Sequence, residues 1–107
     1  MAIIQSIIGS EQPQSSDTRV VNKYKESYDV YIGRGSIWGN PFTVQEYGRD
    51  IAISMYELYM RDRIKIFPEI IDELLELKGK TLGCFCKPQP CHGDILIKLI
   101  QEYSTIE

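Results

Sequence analysis

Lys80-Thr81-Leu82-Gly83-Cys84-Phe85-Cys86-Lys87-Pro88-Gln89-Pro90-Cys91-His92-Gly93-Asp94 is the stretch that decides the fold. Residues 80–86 form a short central strand, on which alternation puts Cys84 and Cys86 on one face. Lys87-Pro88-Gln89-Pro90 ends it, because proline has no N–H to give to a strand ladder. Cys91-His92-Gly93-Asp94 then opens a last helix, with Ile95, Leu96, Leu99, Ile100 and Tyr103 as its buried stripe.

Working upstream, Pro68 fits the first turn of a helix. On that helix Ile70, Ile71, Leu74 and Leu75 face inward, Glu69, Asp72, Glu73 and Glu76 face out, and Gly79 is its C-cap. Earlier still, Thr43 followed three residues on by Glu46 has the form of a capping box. Tyr47, Ile51, Met55, Leu58 and Tyr59 recur at helical spacing, with Arg49, Asp50, Glu57 and Arg61 on the other faces, which predicts one amphipathic helix to about Arg63. Residues 33–42 hold three glycines and a proline, and so make a long irregular loop. Residues 19–25 and 28–33 are rich in β-branched and aromatic side chains, and Glu26-Ser27 is short enough to join them as a hairpin. Residues 1–8 are apolar and read as a strand or packed arm, joined to the body by the polar residues 9–18. The expected order is (β)ββααβα: a small single α/β or α+β domain over residues 19–107, a short sheet packed by helices, preceded by an arm and polar loop over 1–18.

A chain of 107 residues, 43% hydrophobic, has enough core for one domain and not for two. With 12 basic and 15 acidic residues its net charge is −3, which argues against a general nucleic-acid coat and leaves room for a local basic pocket. The apolar start lacks a basic flank and falls short of a secretory signal or a membrane span. Three cysteines cannot all pair within one chain, and they cluster at Cys84, Cys86 and Cys91. That pattern suits reduced thiols or a metal in the cytoplasm better than a secreted disulfide framework.

Two constellations carry chemistry. Cys84, Cys86, Cys91 and His92, the single histidine, have the composition of a Cys₃His structural zinc site, although C-x-C-x₄-C-H is not a standard zinc spacing. Zinc is the candidate cofactor. The other reading uses the helix N-terminus, where unpaired amides favour anions and lower a thiol pKa. Cys91 is then a nucleophile or anion contact, His92 or Asp94 a general acid or base, and Gly93 an opening for close approach of a ligand. Against this stands ordinary burial of Cys84 and Cys86 as small apolar side chains.

The loop Tyr31-Ile32-Gly33-Arg34-Gly35-Ser36-Ile37-Trp38-Gly39-Asn40-Pro41-Phe42 is the second constellation. A glycine-rich turn after a strand aims amides at phosphate, and Arg34 adds a planar fork for phosphate or carboxylate, with Ser36 beside it. Trp38 offers a stacking face and Asn40 a donor and an acceptor. It matches neither a Walker loop nor a Rossmann fingerprint, and Trp38 and Phe42 could equally plug the core. The acidic helix face is a solvated surface, and Lys23 and Lys25 share a strand face that could steer an anion.

Val20-Val21-Asn22, Tyr31-Ile32-Gly33-Arg34 with Trp38-Gly39-Asn40-Pro41-Phe42, and Leu82 to Pro88 with Pro90-Cys91-His92-Gly93-Asp94 resemble the domain-of-unknown-function family 4326 of phages, prophages and bacteria. The resemblance runs over residues 19–103. It implies a phage or mobile-element setting and one shared site containing Arg34, Trp38, Asn40, Cys84, Cys86, Cys91, His92 and Asp94, and it assigns no activity. The expectation is an anion-binding cleft for a nucleotide or related phosphorylated ligand, where the Arg34 loop meets the Cys91 helix start, with nucleotide processing as an open extension. The alternative is a non-catalytic phage factor that binds a host protein and uses zinc as a staple. A third reading is local nucleic-acid binding through Arg19, Lys23, Lys25 and Arg34. No membrane partner is expected.

Overall fold

The computed structural model describes residues 18–104, so the reading of residues 1–17 as an arm and loop lies outside it. Along the described residues run β1 (Arg19–Asn22), β2 (Val30–Tyr31), α1 (Val44–Tyr47), α2 (Arg49–Ile66), α3 (Ile70–Leu75), β3 (Thr81–Cys84) and α4 (His92–Ser104). Together they make a small α+β domain with a three-stranded sheet in the order β1-β3-β2. β3 is central, as its sequence implies, and it pairs in parallel with both neighbours, Val20 and Val30 each standing opposite Leu82.

That pairing corrects the hairpin expected over residues 19–33. β1 and β2 are not paired with each other; β3 lies between them, and residues 23–29 carry the chain back to start β2 in the same direction as β1. The return begins where Lys23 N donates to the Cys84 carbonyl (2.8 Å) and finishes where Asp29 N donates to the Thr81 carbonyl (2.8 Å). Asp29 also accepts the Thr81 amide at 2.8 Å. A parallel crossover ordinarily takes about a dozen residues or more. This shorter one fits because Gly83 has no side chain: a Cβ there would lie 2.6 Å from Cγ of Tyr28, whose ring covers the strand. Leu82 and Cys84, on the opposite face by alternation, belong to the main core.

The helices form the rest of that core. α4 packs on β1 and against α2 and α3, burying Leu96, Leu99 and Ile100 as its periodicity predicts. Ile70 and Leu74 are the buried residues of α3, and the turn that follows closes at Gly79, whose φ of +82° only glycine adopts readily.

The helix expected from Thr43 differs in two ways. Thr43 does cap it, accepting the Glu46 amide at 3.1 Å. The helix then breaks at Gly48, whose φ of 83° and ψ of 158° are open to glycine alone, so α1 and α2 are separate. The buried stripe of α2 is Ala52, Tyr56, Met60 and Ile64, while Tyr47, Ile51 and Leu58, expected inside, are exposed. Apolar residues occupy several faces of this helix, so spacing alone allows more than one stripe. Packing selects the one whose Tyr56 hydroxyl donates to the Trp38 carbonyl at 2.7 Å. Burial raises the Tyr56 pKa and keeps that donor protonated.

Candidate functional site

The start of α4 is built as a helix cap in which sulfur stands where a hydroxyl usually does. The Gly93 amide donates to Cys91 Sγ at 3.3 Å, and Asp94 Oδ2 accepts the Cys91 amide at 3.1 Å. This is the reciprocal pattern of a capping box, which satisfies orphan donors at both ends of the first turn. Asp94 Oδ1 is ion-paired with Lys87 Nζ at 2.7 Å. Both carboxylate oxygens are therefore engaged in holding the turn. Gly93, expected to admit a ligand, instead admits the sheet: a Cβ there would lie 2.8 Å from Val20 Cγ2 and 2.9 Å from Ile32 Cδ1.

Cys91 and Cys84 are both buried, and their sulfur atoms stand 3.2 Å apart. The hydrogen bond from Cys91 holds the Cys84 thiol below its ordinary range against the opposing effect of burial, and the backbone amides of Cys86 and Lys87 add to it. Cys91 is pushed up by its partnership with Cys84 and by burial. The contact thus makes Cys84 the more acidic and Cys91 the less acidic thiol of the pair. Cys86 is half-buried, and all three cysteines are free thiols.

His92 Nε2 lies 2.6 Å from the Ile32 carbonyl oxygen. A carbonyl only accepts, so Nε2 carries the proton and Nδ1 is the acceptor of a neutral ring. Burial lowers the His92 pKa, and the ring meets Tyr56 edge to face with centroids 5.0 Å apart. The four-ligand zinc set is not assembled. His92 spends Nε2 on Ile32, Cys84 and Cys91 face each other, and among the described residues no three His, Cys, Asp or Glu side chains are grouped to hold a metal ion.

The glycine-rich loop is fastened to α2 at three points. Besides the Tyr56 bond, Asn40 Nδ2 donates to the Ala52 carbonyl at 3.1 Å and Arg63 donates to the Ile37 carbonyl at 2.9 Å. Asn40 Oδ1 accepts the Phe42 amide, and the Ser36 hydroxyl donates to the Gly33 carbonyl at 2.7 Å. Ser36 and Asn40 thus shape the loop with the groups assigned to ligand reading. Trp38 is 5% exposed and sits in the core, which removes it as a stacking face. The Arg34 guanidinium is exposed and makes no ion pair among the described residues.

The two constellations meet. A cavity of about 530 Å³ is walled by Arg34, Asn40, Arg49, Cys86, Cys91 and His92, with the rings of Tyr31, Phe42 and Phe85. Ser36 lines a shallower neighbouring depression together with Arg34 and Asn40. Trp38, Cys84, Gly93 and Asp94 line neither.

Arg49 is the residue that sequence reasoning missed. The break at Gly48 makes it the first residue of α2, where it donates to the Pro90 carbonyl at 3.1 Å and so bridges the helix to the cysteine segment. Its signal was the glycine directly before it. Asn22 is a second unassigned residue, donating to the Lys87 carbonyl at 2.8 Å and the Phe85 carbonyl at 3.3 Å, which holds the turn after β3. Lys23 is surrounded by aromatic rings, with Nζ 4.8 Å from the Tyr31 centroid and 5.0 Å from that of Phe85. Arg19 is paired with Glu26.

Comparison with known proteins gives two viral relatives. One, an uncharacterized 12.4 kDa protein of the nrdA-td intergenic region of Enterobacteria phage T4, is 44% identical over 82 residues, covering 77% of this chain and 76% of the relative. The other, uncharacterized protein R718 of Acanthamoeba polyphaga mimivirus, is 34% identical, covering 77% of this chain and 76% of the relative. No solved structure matches the chain. The match to the family described as Domain of unknown function (DUF4326) spans residues 14–102, most of the chain, and the protein belongs to that family.

Proposed function

We propose that the cavity between the Arg34 loop and the start of α4 binds a nucleotide or a related phosphorylated small molecule, in the cytoplasm of the host cell. The observation that carries this reading is the charge of the walls: Arg34 and Arg49 come from different segments of the chain, and among the described residues no acidic side chain lines the cavity. Two guanidinium groups can hold an anion with charge-assisted, bidentate hydrogen bonds. Tyr31, Phe42 and Phe85 provide apolar and aromatic walls for a planar group in the place first expected of Trp38. The size of the cavity suits a mononucleotide, since small-molecule sites are commonly about 300–1,000 Å³.

For a reaction on the bound ligand the cavity supplies two groups. Cys91 brings a sulfur atom that can act as nucleophile once its proton has passed to Cys84. Neutral His92 can accept a proton at Nδ1.

Calorimetric titration with nucleoside 5′-monophosphates, diphosphates and the parent nucleosides tests the binding. The phosphorylated ligands bind and the nucleosides bind far more weakly. Arg34→Ala or Arg49→Ala weakens binding about tenfold or more, given about 1.5–3 kcal/mol for a hydrogen bond to a charged group. Absence of binding by every phosphorylated probe at millimolar concentration, or binding indifferent to both substitutions, refutes the reading.

A further inference from the structure

We propose that Cys84 and Cys91 form a redox-active dithiol, in which Cys91 takes the attack of a small hydroperoxide through the cavity and Cys84 resolves it to an intramolecular disulfide. The two sulfurs are already in contact at 3.2 Å, although they come from different elements, the end of β3 and the cap of α4. A pair of ordinary core thiols has no need of such an approach. Both thiols are nearly buried, Cys91 2% and Cys84 1% exposed, but Cys91 lines the cavity and Cys84 does not. That arrangement places the attacking residue at the cavity wall and the resolving residue off it.

The surroundings serve the same chemistry. Cys91 Sγ accepts the Gly93 amide at the start of α4, which opposes the upward push of Cys84 and burial on this thiol and offers a donor to charge on sulfur or on a sulfenate oxygen. The third thiol, Cys86, lines the same cavity and provides an internal comparison, because it lacks the contact that Cys84 makes.

The step balances without any group from outside except the oxidant. Cys91 sulfur attacks one oxygen of hydrogen peroxide, the O–O bond breaks, and the departing hydroxide leaves as water with the proton of the attacking thiol. Cys84 sulfur then attacks the sulfenic sulfur of Cys91, the S–O bond breaks, and a second water leaves with the proton of Cys84. Two thiols and one peroxide become one disulfide and two waters, and two electrons pass from sulfur to oxygen. A dithiol reductant reverses the bond by exchange. The inference stands independently of nucleotide binding, and its test contains no nucleotide.

The experiment treats the reduced full-length chain with hydrogen peroxide, alkylates the remaining thiols under denaturing conditions, and maps them by peptide mass spectrometry. The expected product has lost two hydrogens, retains one alkylatable thiol at Cys86, carries a Cys84–Cys91 bond, and returns to three thiols with dithiothreitol. Cys86→Ser forms the same bond. Cys84→Ser, which removes the resolving sulfur, leaves Cys91 as a sulfenic acid trapped by dimedone. Three intact thiols after treatment, a bond that involves Cys86, cross-linked dimers as the main product, or dimedone on Cys84 in Cys91→Ser at the rate seen for Cys91 overturns the proposal. Circular dichroism of each variant before oxidation shows that the comparison is between folded proteins, and the result on the unsubstituted chain decides the matter by itself where a variant does not fold.

Discussion

His92 Nε2 donates to the carbonyl oxygen of Ile32 across 2.6 Å, and this hydrogen bond ties the cysteine segment to the glycine-rich loop. The two residues are 60 positions apart in sequence. Ile32 directly precedes the loop that carries Arg34, and His92 is the first residue of α4. The bond therefore fixes the spacing between two walls of the cavity, and it requires a protonated Nε2.

Burial of the ring makes stability depend on pH, while the Ile32 bond, whose Nε2 proton is present in both the neutral and the charged ring, opposes that effect. Burial lowers the His92 pKa in the folded state from its ordinary 6.5. Below about pH 6.5 the unfolded chain takes up a proton there that the folded protein refuses, so the stability is full above that pH and is lost as the pH falls toward the folded-state value. Urea denaturation should show a decline of at most about 1.4 kcal/mol per pH unit from this residue. In His92→Gln, whose amide can still donate to Ile32, the decline between pH 6.5 and 5 should flatten. An equal slope in both proteins would mean that His92 titrates normally.

Gly93→Ala should destabilise the fold even though alanine is the better helix former. The added Cβ would meet Val20 and Ile32 below 3.0 Å, and forcing the helix from the sheet costs about 1–3 kcal/mol against a propensity gain of about 1 kcal/mol. Gln101→Ala, on the exposed side of the same helix, should be neutral to within about 0.5 kcal/mol. Thermal melts of the two variants make the comparison.

Asp94→Ala should cost about 1 kcal/mol through loss of the cap and leave phosphate-ligand affinity within about twofold. Its oxygens face Lys87 and the Cys91 amide, and it does not line the cavity. Loss of binding in a protein that is still folded by circular dichroism would restore Asp94 to the ligand.

Gly48→Ala should couple stability to binding. Alanine at φ 83° and ψ 158° is strained by about 1–3 kcal/mol, and relief of that strain moves Arg49, the next residue, away from the Pro90 carbonyl. Melting temperature and affinity for a nucleoside monophosphate should fall together. Gly35→Ala, also at positive φ and, like Gly48, without a neighbour within 4 Å, carries a comparable backbone penalty and leaves Arg49 in place.

The elements with an unambiguous local cause were legible in advance. β3 sits between prolines and a glycine turn, and α4 has a clean apolar stripe, so strand and helix were readable with their order. α2 has apolar side chains on several faces, and its stripe was misread by the same reasoning. The hairpin failed for a different cause: residues 19–33 have strand composition, but which edges pair is settled by β3, which arrives more than forty residues later. Of the site, Arg34, Cys91 and His92 stood out by residue type. Trp38 and Asp94 stood out too, and the fold uses them for packing and capping.

The sequence by itself determined which residues can do chemistry and that they occupy two short segments, because residue type and local turn signals are properties of neighbours in the chain. Only the tertiary structure decided that these segments face one cavity, that Arg49 joins them, and that Cys84 and Cys91 touch. Each of those facts is a distance between groups far apart along the chain or brought round by a turn, and such distances are set by how helices and strands pack. The central strand and the helix it feeds were readable in residues 80–94. The cavity beside them was not, since its other wall is held in place by α2 and by the carbonyl of Ile32.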